Sequence, residues 1–179
     1  HLEALATLLN ESKEGGKWPS DMGRPIIALS PRSGAVDEGE RRPLALLPYV
    51  YRLWMCVRKR DVEGWAVGLH GGKFKSAEAL AWELAAKGEA ARLERHYFAA
   101  AFLDCSKCYE RVSHGHAGNR AVETGCNPRV VNLAMDMYNA PRVIQAHGAH
   151  LGLVEVNRGM LAGCGFAVHF LKAIVIEIP

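Results

Sequence analysis

The sequence predicts an α+β fold, and three observations carry that prediction. Apolar residues recur at helical spacing in several separate stretches. Short β-favouring runs, bounded by Pro and Gly, lie between them. The two kinds of segment do not follow the strict alternation of a parallel α/β protein. With 179 residues and 49% hydrophobic content, the chain can bury one core, so one domain or one piece of a larger domain is expected. There is no internal repeat and no low-complexity segment.

The elements follow in order. Leu2, Leu5, Leu8 and Leu9 predict a helix over residues 2–13, ended by Gly15-Gly16, with Trp18-Pro19 opening an extended stretch. Pro25 to Pro31 reads as a strand, Ser33 to Gly39 as an exposed hairpin loop, and Arg41 to Leu47 as the returning strand. Val50, Leu53, Trp54 and Val57 mark one face of a helix from Tyr49 to Glu63, followed by a loop at Gly68–Gly72. Ser76 to Ala91 is rich in Ala, Leu and Glu and predicts a helix with Ser76 at its N-cap. His96 to Leu103 fits a buried strand that ends on Asp104, and Tyr109 to Val112 would begin a helix. Pro128 to Tyr138 is a helix starting at a proline. Arg142–Ala146 and Leu151–Glu155 flank His147-Gly148 as a hairpin, and Gly163 to Ile176 reads as a buried helix.

Composition limits the class without choosing a function. Charged residues make up 23% and the net charge is +3, which permits a nucleic-acid partner but does not argue for one. Basic residues crowd into one stretch, with Arg24, Arg32, Arg41, Arg42, Arg52, Arg58, Lys59 and Arg60; a solvated surface is the ordinary origin of such a run. The five cysteines are odd in number and lie mostly in apolar surroundings, which fits reduced thiols in an intracellular protein. No apolar run reaches the length of about 18 residues that a membrane span needs, so no membrane partner is expected. The chain starts on His1 and stops at Pro179 just after an apolar run, so both ends read as cut.

Four segments then occur in a telling order. The first is Pro25 to Gly34 followed by Arg41 to Trp54. The second is Leu69-His-Gly-Gly-Lys-Phe-Lys-Ser-Ala-Glu-Ala79. The third is Phe102-Leu-Asp-Cys-Ser-Lys-Cys-Tyr-Glu-Arg-Val-Ser-His114. The fourth is Asn157-Arg-Gly-Met-Leu-Ala-Gly-Cys-Gly-Phe-Ala167. With these gaps, and with the link from Gly125 through Tyr138 to Ile144, the set resembles the fingers and front palm of reverse transcriptases from non-LTR retrotransposons and group II intron relatives. The resemblance covers roughly residues 17–176. It implies a right-hand polymerase fragment, fingers-like over 17–99 and incomplete palm over 100–179, with mixed helices and a small antiparallel sheet. It further implies an RNA-directed DNA polymerase whose partners are an RNA template, a DNA primer and a dNTP.

The chemistry explains why such residues are needed. Nucleotidyl transfer onto a primer 3′-OH builds charge on phosphoryl oxygens, and two Mg²⁺ ions held by hard oxygen ligands neutralise it. Asp104 stands where a strand would end. On its own terms it reads first as the cap of the next turn or helix. The resemblance implies that it is the catalytic carboxylate and first metal ligand, with the backbone carbonyl of Cys105 as a further ligand. Tyr109 matches the aromatic that stacks under the incoming sugar and excludes a 2′-hydroxyl, a task suited to a flat, stiff ring. Arg32 and Arg42 match basic positions that grip the triphosphate, where a guanidinium binds bidentately and keeps its charge; Arg41 is the alternative register. Lys73 and Lys75 would lie near template or primer backbone. Gly159 and Gly163 match glycines that let the backbone approach the base pair.

The chain also departs from that pattern. Ala162 stands where the family usually carries Gln before the second glycine, which removes a polar contact near the nucleotide or template. Ala167 occupies a position that is often Ser or another small residue. No Asp-Asp pair supplies the second metal ligand, and one carboxylate cannot hold two Mg²⁺ ions. These 179 residues alone are therefore expected not to polymerise.

Two other readings compete. A degenerate domain could keep the fold and bind only RNA or a protein. A small zinc domain could use Cys105, Cys108, His114 and His116, although His-x-His is not the usual second half of such a site.

Overall fold

The computed structural model describes residues 1–30, 41–69, 77–101, 106–146 and 148–175. Among them the elements run α1 (Leu2–Gly15), β1 (Ile26–Ser30), β2 (Arg42–Leu46), α2 (Tyr49–Leu69), α3 (Ala77–Leu93), α4 (Cys108–Arg111), α5 (His114–Glu123), α6 (Pro128–Asn139), β3 (Arg142–Ala146), β4 (Ala149–Val154) and α7 (Ala167–Val175). The fold is α+β, as the unordered mix of periodicities predicts. The loop expected at Ser33–Gly39 and the N-cap expected at Ser76 lie outside the described residues.

The four strands form one sheet in the order β2-β1-β3-β4. β1 pairs antiparallel with β2, and β3 with β4, but β1 and β3 run parallel, with Ile26 opposite Val143. The expectation of an antiparallel sheet is corrected here: the sheet is mixed. The long helical excursion between β1 and β3 is the kind of connection that parallel neighbours require. β2 also reaches beyond its strand partner, since the Ala45 amide donates to the Ala162 carbonyl at 2.9 Å.

One core draws on both halves of the chain. Trp54 of α2, Leu133 and Tyr138 of α6, Phe166 just before α7 and Phe170 within α7 are all essentially buried. Trp18 meets Trp54 edge-on at 5.4 Å, Trp54 meets Phe166 at 5.5 Å, and Phe166 meets Phe170 at 6.2 Å. Such edge-to-face contacts add to the burial of apolar area. Trp18 is anchored at its polar edge as well: its indole N–H donates to the Leu133 carbonyl at 2.9 Å and its amide to Asp136 at 2.8 Å.

Four elements differ from the sequence reading, the first three for a packing reason. α2 continues past Glu63 to Leu69 instead of yielding to a loop at Gly68, because Val62 and Ala66 extend its buried stripe. The segment 96–101 forms no strand and is exposed throughout, so the buried strand expected over 96–103 is not found in its described part. Three consecutive alanines give that segment little surface to bury, and the sheet pairs it on neither edge. Phe98 instead turns back toward Gly88 of α3. The third difference is α5, which no periodicity announces. Its buried stripe is His114, Ala117, Gly118 and Ala121, small residues that admit α6 closely. A Cβ on Gly118 would stand 3.1 Å from the Met135 side chain. α7 also begins later than expected, after a turn over 161–166.

Candidate functional site

The turn between β4 and α7 organises the site. The Gly159 amide donates to the Val112 carbonyl and the Met160 amide to the Tyr109 carbonyl, both at 2.8 Å. Ser113 and Arg158 pair as an isolated bridge. These bonds dock the short helix α4 against the turn, while the Ala45–Ala162 bond docks β2 on the other side. Gly159 (φ 89°) and Gly163 (φ 101°) both hold left-handed backbone. A Cβ on Gly159 would meet the Glu110 carbonyl at 3.2 Å, so this glycine serves a close approach between two backbone segments.

Between these three pieces lies a cavity of about 400 Å³. Arg42 and Pro43 enter it from β2, Tyr109 and Glu110 from α4, and Ala162 and Gly163 from the turn. The size falls within the range of small-ligand pockets. The Tyr109 ring is partly exposed, and its partial burial, with the Cys108 thiol adding, pushes its hydroxyl up from the ordinary value. Arg42 is exposed at the end of β2, opposite Ser30 in the register. One cation, one aromatic face and a glycine turn therefore surround a single space.

A second cavity, of about 250 Å³, shares Pro43, Glu110, Met160 and Ala162 with the first and adds Arg142, Arg158 and Gly159. Behind it runs a buried polar network. The Gly159 carbonyl accepts from Arg142 Nη2 at 2.7 Å and lies 3.0 Å from His114 Nε2. His114 Nδ1 is 2.7 Å from Asn139 Oδ1, and Arg142 Nη2 also donates to the Tyr138 carbonyl at 3.1 Å. Burial lowers the Arg142 pKa from its ordinary value, with Tyr138 acting in the opposite sense.

Of the residues singled out in the sequence, Arg42, Tyr109 and Gly163 converge on the first cavity, and Gly159 lines the second. Asp104, Cys105, Arg32, Lys73 and Lys75 lie outside the described residues. The zinc set is divided. Cys108 and His116 line a third cavity of about 570 Å³ on the far side of α4, whereas His114 points into the core with both ring nitrogens in hydrogen bonds. No cluster of three metal-ligating side chains occurs among the described residues. Sequence reasoning passed over Arg142 as the first residue of a strand. The available signal was a lone guanidinium opening the run Val143-Ile144, directly after Pro141.

No protein-family model matches the chain, and no curated protein matches it. Among the described residues no helix is long and apolar enough to cross a membrane.

Proposed function

We propose that this chain forms the fingers and front palm of an RNA-directed DNA polymerase of a retroelement, and that the 400 Å³ cavity receives the incoming dNTP. The supporting observation is the convergence of Arg42, Tyr109 and Gly163 on one space from three distant parts of the sequence. In this reading Arg42 holds the triphosphate, since a guanidinium matches phosphate oxygens in pairs and does not lose its charge. Tyr109 presents its ring to the sugar, where a 2′-hydroxyl would collide. Gly163 leaves room beside the base. Asp104 and the Cys105 carbonyl would hold Mg²⁺, which supplies neutralisation of charge on the transferring phosphoryl group. RNA template and DNA primer are the macromolecular partners of this reading.

The experiment is dNTP binding to the 179-residue chain, measured calorimetrically for dATP and ATP. Arg42→Ala is expected to weaken dATP about tenfold or more, the worth of a charge-assisted contact. Tyr109→Ala is expected to bring the dATP and ATP affinities together. Binding indifferent to both substitutions would overturn the assignment. RNA binding without nucleotide binding would favour the degenerate binding module instead. Primer extension by these residues alone is expected to give no product.

A further inference from the structure

The guanidinium of Arg142 is a buried cation that the nucleotide reading does not use. Arg142 is only 9% exposed. Its Nη2 serves the Tyr138 and Gly159 carbonyls, and its buried Nε has no hydrogen-bond partner. Among the described residues, the ion pairs found all involve other side chains, so no carboxylate there lies within ion-pair distance of it. Taking a cation out of water without a counter-charge is costly, and two carbonyl dipoles offset only part of that cost. The same residue lines the 250 Å³ cavity, and a second guanidinium, the exposed Arg158, stands on its wall. Ile27, Pro43 and Ala45 make the facing side apolar. Glu110 is the one acid on the lining.

We infer that this cavity is a binding site for a phosphate-type oxyanion, with Arg142 at its base and Arg158 at its rim. Two guanidinium groups on one small cavity offer N–H donors to a tetrahedral oxyanion, and a bound anion would supply the missing counter-charge. Glu110 opposes the anion and limits its affinity. The oxyanion comes either from a nucleic-acid backbone or from free phosphate; both present non-bridging phosphoryl oxygens. The inference does not rest on the polymerase reading, because its cations, Arg142 and Arg158, are different from Arg42.

The probe is inorganic phosphate, titrated into the ¹⁵N-labelled chain at constant ionic strength held with chloride. The readout is the Arg142 Nε–H resonance, which burial shelters from exchange with water. Phosphate should shift this resonance saturably, and chloride alone should not. Arg158→Gln should weaken the apparent affinity about two- to fivefold, and Glu110→Gln should strengthen it by a similar factor, the range for a rim charge. Both residues are exposed, so neither substitution disturbs the core and no Arg142 variant is needed. A single-stranded oligonucleotide that displaces the phosphate assigns the source to a nucleic-acid backbone; one that fails to displace it assigns the site to free phosphate. A resonance that ignores phosphate, or an affinity indifferent to both substitutions, overturns the inference. The outcome is separable from the dNTP test, which reads Arg42 and Tyr109.

Discussion

Helices α6 and α3 are both regular, yet they stand in opposite relations to the rest of the molecule. α6 buries Val130, Val131, Leu133, Ala134, Met135, Met137 and Tyr138, and the Asn127 side chain caps it by accepting from the Arg129 amide. α3 is longer, but none of its described side chains is buried, and Trp82 and Leu93 are largely exposed. The difference lies in the sequence pattern. α6 places its large apolar residues on one stripe, which gives the core something to hold. α3 spreads Ala and Glu around its whole circumference, so propensity alone makes the helix and no face is selected for burial. Helix formation and helix packing are thus read from different features of the same sequence.

The largest expected effect tests that contrast directly. Phe170 is fully buried and meets Tyr138 of α6 edge-on at 6.2 Å. Phe170→Ala should cost about 3–5 kcal/mol by urea unfolding, from lost transfer energy plus the cavity left behind. Trp82→Ala on α3 removes a larger ring and should stay within about 0.5 kcal/mol. An equal loss for Trp82 would mean that α3 is packed in solution, and the contrast would collapse.

The next effect has opposite signs in the two regions. Gly159 holds φ 89° with the Glu110 carbonyl 3.2 Å from a would-be Cβ, so Gly159→Ala should destabilise by about 1–3 kcal/mol. Gly88 lies inside α3, where a Cβ would meet the Phe98 ring at an ordinary 3.6 Å. Gly88→Ala should therefore stabilise, by about 0.5–1 kcal/mol, because alanine loses less conformational entropy in a helix interior. Chemical denaturation of both variants gives the comparison. A stabilising Gly159→Ala would show that the turn relaxes and that the close approach to α4 is not required.

Much of this architecture was legible in the sequence, and the omissions share a cause. α1, α6 and the two hairpin pairs announce themselves through periodicity and turn residues, which are local. α5 was not legible because its stripe is His, Gly and Ala, and only Met135 of α6 explains why small residues are required there. The segment from His96 suggests a buried strand because aromatics precede an acid, yet a strand exists only where a partner edge does. The parallel pairing of β1 with β3 depends on a contact between distant segments that no local pattern encodes. Arg42, Tyr109 and Gly163 are singled out by motif order, and all three line one cavity. Arg142 was missed because a buried cation looks like any strand arginine until its burial is known.

The last effect concerns pH, and again the packed and unpacked regions should differ. Cys126 follows α5, with its amide donating to the Ala121 carbonyl at 2.8 Å, and burial pushes its thiol up to about 11 from an ordinary 9.0. As pH rises from about 9, the unfolded chain releases this proton before the folded chain does, so the unfolded state binds fewer protons and stability falls until about pH 11. Stability below pH 9 keeps the full contribution. Urea midpoints measured from pH 8 to 10.5 should therefore slope downward, and Cys126→Ala should flatten the slope relative to the parent, leaving only what other buried thiols and phenols contribute. Glu89 of α3 offers the acid-side counterpart, since its hydrogen bonds to Arg92 lower its pKa. That direction would place a loss of stability on the acid side, below its ordinary value. Both partners are open to solvent, however, and water screens the pair. Glu89→Gln should leave the acid limb of the curve unchanged. If it shifted that limb while Cys126→Ala left the alkaline limb untouched, the assignment of packed and unpacked regions would have to be reversed.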